Sequence, residues 1–254
     1  MNKEISQYKN TIIDIFNQIE AEEEESVQRA ADVMSKAIAE GQIIHVIGPG
    51  GHSNMGVEEV FWRAGGLVPI NAILDAGTNL IHGAKRSSII ERTPGYASRV
   101  LDAYGVGEKE GEVIIIVNAY GINSMTIDTA LEAKKRKMIS IAVTSRSFAQ
   151  IVPPGHPIRH VSNKNLYEEA DIFVNNHLPA GDAVVDIDGL QQKVAATSTF
   201  CNSFTMNLLV IETVKKLSEK GIEPPVWVSG NLPGGDEANK KYENMYFGRI
   251  KHLR

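Results

Sequence analysis

Five short apolar runs limit what this chain can become: QIIHVIG (42–48), VPINAIL (68–74), EVIIIVN (112–118), MISIAVT (138–144) and the shorter DIFVNN (171–176). None alternates strictly between polar and apolar residues, so each strand is expected to be buried on both faces. That is the pattern of a parallel sheet covered by helices on either side. Stretches of helical character separate or follow the runs, at Met55–Ala64, Ser124–Lys137 and Gln191–Lys220. Strand and helix alternate, and the chain reads as an open α/β sandwich.

Ahead of the first strand, Ile5, Tyr8, Ile12, Ile15, Phe16 and Ile19 recur at spacings of three and four, predicting an amphipathic helix over about 3–20. Val27, Ala30, Ala31, Met34, Ala37 and Ile38 continue a second helical stripe to Gly41. The acidic run Glu22–Glu25 reads as a solvated helix start, where carboxylates face the positive end of the dipole. Residues 1–41 are therefore taken as a helical arm and 42–254 as the α/β domain. The first stripe predicts a partner. Burying it on its own sheet would compete with the helices already there, so the simplest partner is a second copy of the chain.

With 254 residues, 43% of them apolar, the chain is long enough for a sizeable core. A net charge of -5 without a basic face argues against nucleic acid. No apolar run approaches membrane-spanning length, and the opening MNKEISQYKN is too polar for a signal peptide. The single cysteine, Cys201, excludes an intramolecular disulfide, fits a reducing compartment and reads as a core residue. The expectation is a cytoplasmic protein without a membrane or nucleic-acid partner. His156 and His160 have the spacing of a zinc-binding helix, but Pro157 disrupts that helix, so no metal site is expected.

Ligands of open α/β sheets bind at the carboxyl ends of strands, and two such ends are unusual here. After the strand Ile43–Ile47 comes Gly48-Pro49-Gly50-Gly51-His52-Ser53-Asn54, then a helix. Glycines let main-chain N–H groups close on an anion, and the helix start adds positive partial charge. A tight turn with a helix capped by Ser53 or Asn54 is the plainer reading of the same residues. After the strand Val113–Val117, Asn118, Tyr120, Asn123, Ser124 and Thr126 crowd around Gly121 at another strand-to-helix turn. Two such loops on one side of a sheet point to a small anionic molecule. A dinucleotide site is the rival: Asp75 stands where a ribose-binding acid would, but Ser53 occupies the place of the third glycine in G-x-G-x-x-G.

These loops resemble the SIS (sugar isomerase) domain, and within it the phosphoheptose isomerases. GPGGHSN resembles their Gly-x-Gly-Gly-Ser turn, and EVIIIVNAYGINSMTIDTALEAKKRKMISIAVTS (112–145) resembles their phosphate loop with the helix and strand after it. The likeness runs from Ile5 to Leu217. It implies a three-layer, flavodoxin-type sandwich on a five-stranded parallel sheet, binding of a phosphosugar, no cofactor, and a homodimer or homotetramer with shared sites. The departures are specific. Asn118-Ala119-Tyr120-Gly121 stands where the family has Ser-x-Ser-Gly, leaving Ser124 and Thr126 as the hydroxyl donors. Glu58 falls at the family's catalytic histidine, Trp62 at its glutamate, and the long helix lacks the family's other histidine, with Asn202 or Asn207 in that space.

The expected activity is aldose–ketose isomerisation of a phosphorylated or similarly anionic sugar, which needs a base to move a proton between adjacent carbons. Glu59 is expected to be that base, with Glu58 beside it. His82 is expected to be the acid or ring-opening group, with Lys85 and Arg86 near it to hold an anion. The expected binding residues are Gly50, Gly51, His52, Ser53, Asn54, Asn118, Tyr120, Gly121, Asn123, Ser124, Thr126 and Asn202. A non-catalytic sugar-phosphate sensor is the alternative, and a nucleotide-dependent dehydrogenase a third reading.

Overall fold

The fold was obtained as a computed structural model, which describes residues 3–253. Two helices, α1 (Lys3–Glu22) and α2 (Glu24–Ala39), lead into β1 (Ile44–Ile47). There follow α3 (Ser53–Val60), β2 (Ile70–Ile73), α4 (Ala84–Ile90), α5 (Tyr96–Ala103), β3 (Val113–Val117), α6 (Ser124–Lys135) and β4 (Ile139–Thr144). The chain continues through α7 (Arg146–Ile151), α8 (Leu166–Glu169) and β5 (Ile172–Asn175) to a ribbon of β6 (Ala183–Val185) and β7 (Val194–Ala196). It closes with α9 (Ser198–Glu219) and α10 (Gly235–Tyr246).

The five expected strands form one parallel sheet in the order β2-β1-β3-β4-β5. Alternate residues of each strand feed the two faces. Val46, Ile115, Val117, Ile141 and Val143 meet α2, α3 and α9 on one side. Ile47, Ile114, Ile116 and Ala142 meet α5 and α6 on the other. The continuous apolar runs are thus explained by a three-layer sandwich, each strand serving two cores.

Element boundaries differ from the sequence reading where turn chemistry intervenes. The helix expected at Met55–Ala64 starts at Ser53 and stops at Val60, since Phe61 is extended and Trp62 turns left-handed (φ 53). The long helix expected from Gln191 starts at Ser198, because Val194–Ala196 pairs antiparallel with Ala183–Val185. The ribbon and α10 had no sequence signal strong enough to name. Among the described residues, no helix is long and apolar enough to cross a membrane and no three potential metal ligands cluster. His160 instead pairs with Asp128 at 3.1 Å.

Helix α1 lies over α9 rather than over the sheet. Ile15 and Ile19 pack with Leu178 and Cys201, Phe16 stacks on Phe204 with centroids 4.2 Å apart, and the Tyr8 hydroxyl donates to the Ala196 carbonyl at 2.6 Å. Part of the apolar stripe is therefore covered by the chain's own last long helix. The competition for sheet faces foreseen from sequence does not arise. Ile5 (56% exposed) and Ile13 (45%) stay in solvent. Ile19→Ala removes a fully buried side chain from this contact and is expected to cost about 2–5 kcal/mol, read as a lower urea midpoint.

Candidate functional site

The strand order reverses between β1 and β3, the point at which an open α/β sheet parts its loops to make a crevice. Both glycine-containing turns leave the sheet there. In the first, Gly48 must be glycine: a Cβ there would lie 2.3 Å from the Ser53 carbonyl oxygen, so the start of α3 packs directly on the strand end. A Cβ on Gly51 would meet Leu80 Cδ2 at 2.4 Å. Gly50 takes φ 151, and a Cβ there would lie 2.9 Å from Glu91 Oε2, so the Glu91 carboxylate rests against the turn.

Asn118 ties the two turns together. Its Nδ2 donates to the Pro49 carbonyl (3.0 Å) and to Ser53 Oγ (3.3 Å), while its Oδ1 accepts from the N–H groups of Tyr120 (3.1 Å) and Gly121 (2.8 Å). The second turn thereby satisfies two of its own N–H groups. Asn118 is buried and acts as a clamp between the loops.

Between the turns lies a cleft of about 290 Å³, the size of a small metabolite rather than a dinucleotide. The starts of α3 (His52, Ser53), α6 (Asn123) and α9 (Ser198) all reach it, so three positive helix ends converge. The start of α9 is already answered. Asp182 accepts from the Ser198 N–H (2.7 Å), Ser198 Oγ (2.7 Å) and the Thr197 N–H (2.8 Å). The starts of α3 and α6 are placed to attract a negative group, with Arg92, 3.8 Å from Glu91 Oε1, also on the lining.

Glu91 is the carboxylate best placed for proton transfer. It follows the last residue of α4, lines the cleft, and its main-chain carbonyl accepts from Met125 N–H at the start of α6 (2.9 Å). Burial pushes its carboxyl above the ordinary carboxylate range, and the charge of Arg92 partly offsets that rise. Tyr120 also lines the cleft, packed edge-on against Phe148 at 4.2 Å. Burial and then the charges of Asp182 and Glu91 raise its phenol, so it keeps its proton and can donate. Asn202 is buried, with Oδ1 accepting from Asn176 Nδ2 (2.7 Å), which leaves the amide NH2 as its remaining donor.

Of the residues singled out from sequence, Gly50, Gly51, His52, Ser53, Asn118, Tyr120, Asn123 and Asn202 meet in this cleft. Asn54, Gly121, Ser124 and Thr126 are buried behind it and do not line it. Glu58, Glu59 and His82 do not line it either. Glu58 is exposed; Glu59 is held by Asn207 Nδ2 of α9 (3.3 Å) and by Arg63 (3.4 Å); His82 is exposed ahead of α4. Helical geometry explains the first two: they stand one to two turns beyond the helix start, pointing away from the sheet end. Lys85 is exposed, and Arg86 is spent on the Ala76 carbonyl (2.7 Å). Asp75 takes the Tyr96 hydroxyl (3.0 Å) and the Thr78 N–H (3.2 Å), so no free acid is left for a ribose.

Ser87, Ser88, Glu91, Arg92, Asp182 and Ser198 line the cleft without having been recognised in the sequence. One signal existed for Glu91, since an acid at a helix carboxyl end opposes the dipole and calls for a reason.

A crevice at the switch point of a five-stranded parallel sheet, fed by a glycine turn and a polar helix start, defines the SIS domain class. Residues 7–145 match the SIS domain family. A UPF0309 protein from Geobacillus thermodenitrificans is 36% identical over 249 residues, which cover 98% of this chain and 97% of that protein. The chain belongs to this UPF0309 family of SIS domain proteins. Among solved structures, a phosphoheptose isomerase from Neisseria gonorrhoeae superposes with a TM-score of 0.54 at 15% identity, covering 83% of this chain and 97% of that one. One from Francisella tularensis gives 0.52 at 15% identity, over 85% and 100%. Both likenesses are of fold.

Proposed function

We propose that the cleft binds a sugar bearing a phosphate or similar anion and interconverts its aldose and ketose forms. One observation carries this reading: the starts of α3 and α6, Arg92 and a half-buried carboxylate whose proton affinity is raised share one small cleft. The anion lies at the helix starts. Glu91 takes the proton from the carbon next to the carbonyl and returns it to the neighbouring carbon, and burial strengthens it as a base. The Tyr120 phenol donates a hydrogen bond to the carbonyl oxygen as negative charge builds there, and the proton of the adjacent hydroxyl passes to that oxygen as the new carbonyl forms. His52, at the rim, serves ring opening. The phosphoheptose isomerases of the same fold are a supporting analogy.

The test is a panel of aldose and ketose phosphates of five to seven carbons, incubated with the protein without added cofactor and followed by NMR. Interconversion of at least one pair is expected. A binding-only sensor is the second reading, favoured by one observation: α9 offers no histidine to the cleft. Saturable binding of a panel member without conversion would decide for it, and absence of both would defeat the phosphosugar reading. We propose further that the chain self-associates through the parts of α1 left in solvent, Ile5 and Ile13. Light scattering at micromolar concentration is expected to give at least a dimer mass, and a monomer mass would refute this.

A further inference from the structure

The donor that Asn202 offers to the cleft is set from outside the cleft. Asn202 lies on α9, is 2% exposed and lines the cleft. Gly56 of α3 packs against its stem, where a Cβ would come to 3.5 Å from Asn202 Cβ. Among the described residues nothing accepts from Asn202 Nδ2, although that atom is not sealed from solvent. A side chain buried to this degree thus ends in an NH2 group with no partner in the protein, opening on the cleft.

An asparagine amide presents NH2 or oxygen with almost the same shape, so its partners must impose the orientation. Here the partner is Asn176, which follows β5, is fully buried and does not line the cleft. Asn176 Nδ2 donates to Asn202 Oδ1 (2.7 Å), and Asn176 Oδ1 accepts from Leu178 N–H (3.4 Å). A main-chain N–H can only donate. Asn176 therefore turns its oxygen to Leu178 and its NH2 to Asn202, and Asn202 turns its own NH2 to the cleft. The loop carrying Asn176 is pinned on both sides. Asn175 N–H (3.0 Å) and His177 Nε2 (3.1 Å) meet the two oxygens of Glu23, at the elbow between α1 and α2. Asn176 N–H donates to the Thr144 carbonyl (3.1 Å).

We propose that Asn176 is the positioning residue that makes this point of the cleft a hydrogen-bond donor. With the Asn202 amide held as it is, the cleft takes an oxygen acceptor there, a hydroxyl or carbonyl of the ligand. Turned over, the amide would set its own oxygen against that acceptor. An outer partner of this kind fixes which end of the inner side chain a ligand meets. That the ligand is a sugar phosphate rests on the function proposed above; the orientation of the amide does not.

Asn176→Asp is the informative change. A carboxylate still accepts from Leu178 N–H but can only accept from Asn202 as well, and so turns that amide over. Side-chain NH2 signals of 15N-labelled protein, assigned by their loss in Asn202→Ala and Asn176→Asp, are followed at pH 8 for exchange with water. In the wild type the Asn176 NH2 is expected to exchange slowly and the Asn202 NH2 fast. In Asn176→Asp the Asn202 NH2 is expected to slow roughly tenfold, and an unchanged rate would overturn the proposal. So would an Asn202 NH2 as protected as that of Asn176 in the wild type, a comparison that decides alone if the variant does not fold. For a panel sugar phosphate that the wild type binds, affinity is expected to fall about tenfold in Asn202→Ala and in Asn176→Asp. The double variant is expected to bind no worse than Asn202→Ala, whereas additive losses would make Asn176 merely structural and overturn the proposal. Failure of the wild type to bind any panel member would defeat the phosphosugar reading, and the exchange measurement would still decide the amide.

Discussion

Glu91→Gln is expected to lower kcat for sugar-phosphate isomerisation by about 10²–10⁴ while changing ligand affinity little, since glutamine keeps the shape of the side chain but cannot take the proton. The pH dependence supplies an independent reading. Burial holds the Glu91 carboxyl above the ordinary carboxylate range, with Arg92 restraining the rise. The base works only when ionised, so activity falls on the acid side of a limb lying above that ordinary range. Arg92→Gln removes the restraint and is expected to move the acid limb to still higher pH. Measuring kcat/KM from pH 4 to 9 in both proteins checks the direction, and a limb that stays in place would detach Arg92 from Glu91.

The second large effect is structural and falls on Asn118. Asn118→Ala deletes four hydrogen bonds, two that join the turns and two within the second turn, and leaves buried main-chain groups without partners. A cost of about 2–4 kcal/mol is expected, which for a chain of this size lowers Tm by roughly 5–15 °C. Asn118→Asp keeps the acceptor for the Tyr120 and Gly121 N–H groups but sets a buried carboxylate oxygen against the Pro49 carbonyl, so it is expected to cost at least as much as alanine. An alanine variant that melts like wild type would show that the turns hold without the clamp.

Asn118 also illustrates where sequence reasoning reached its limit. The residue type and its place after a strand marked it as a ligand donor, yet its four partners lie within the two turns. Side-chain competition for main-chain groups is a local matter that only the folded geometry resolves. The sheet itself was legible because burial on both faces leaves unmistakable runs such as Val113–Val117, whose five residues are all buried. The glycine turn was legible because Gly48, packed on the Ser53 main chain, admits no Cβ. Glu59 does not reach the cleft for a geometric reason: six residues after Ser53, at a non-integral number of turns, α3 presents its side chain to Asn207 rather than to the crevice. Glu91 reaches the cleft from α4, some forty residues beyond the first turn in sequence, and nothing periodic or motif-like links the two. Asp182 comes from the loop before a ribbon whose short strands give little signal, with Val184 and Val185 both buried in one and Val194 and Ala196 exposed in the other.

If Glu91 moves a proton between adjacent carbons of a bound sugar phosphate, solvent hydrogen has a route into the sugar. Incubation of the converted panel member in D₂O, followed by NMR, tests it most directly. Solvent deuterium is expected to enter the carbon next to the carbonyl in the wild-type reaction, and Glu91→Gln is expected to show neither this exchange nor conversion while still binding the sugar. Exchange and conversion persisting at wild-type rates in Glu91→Gln would contradict the account.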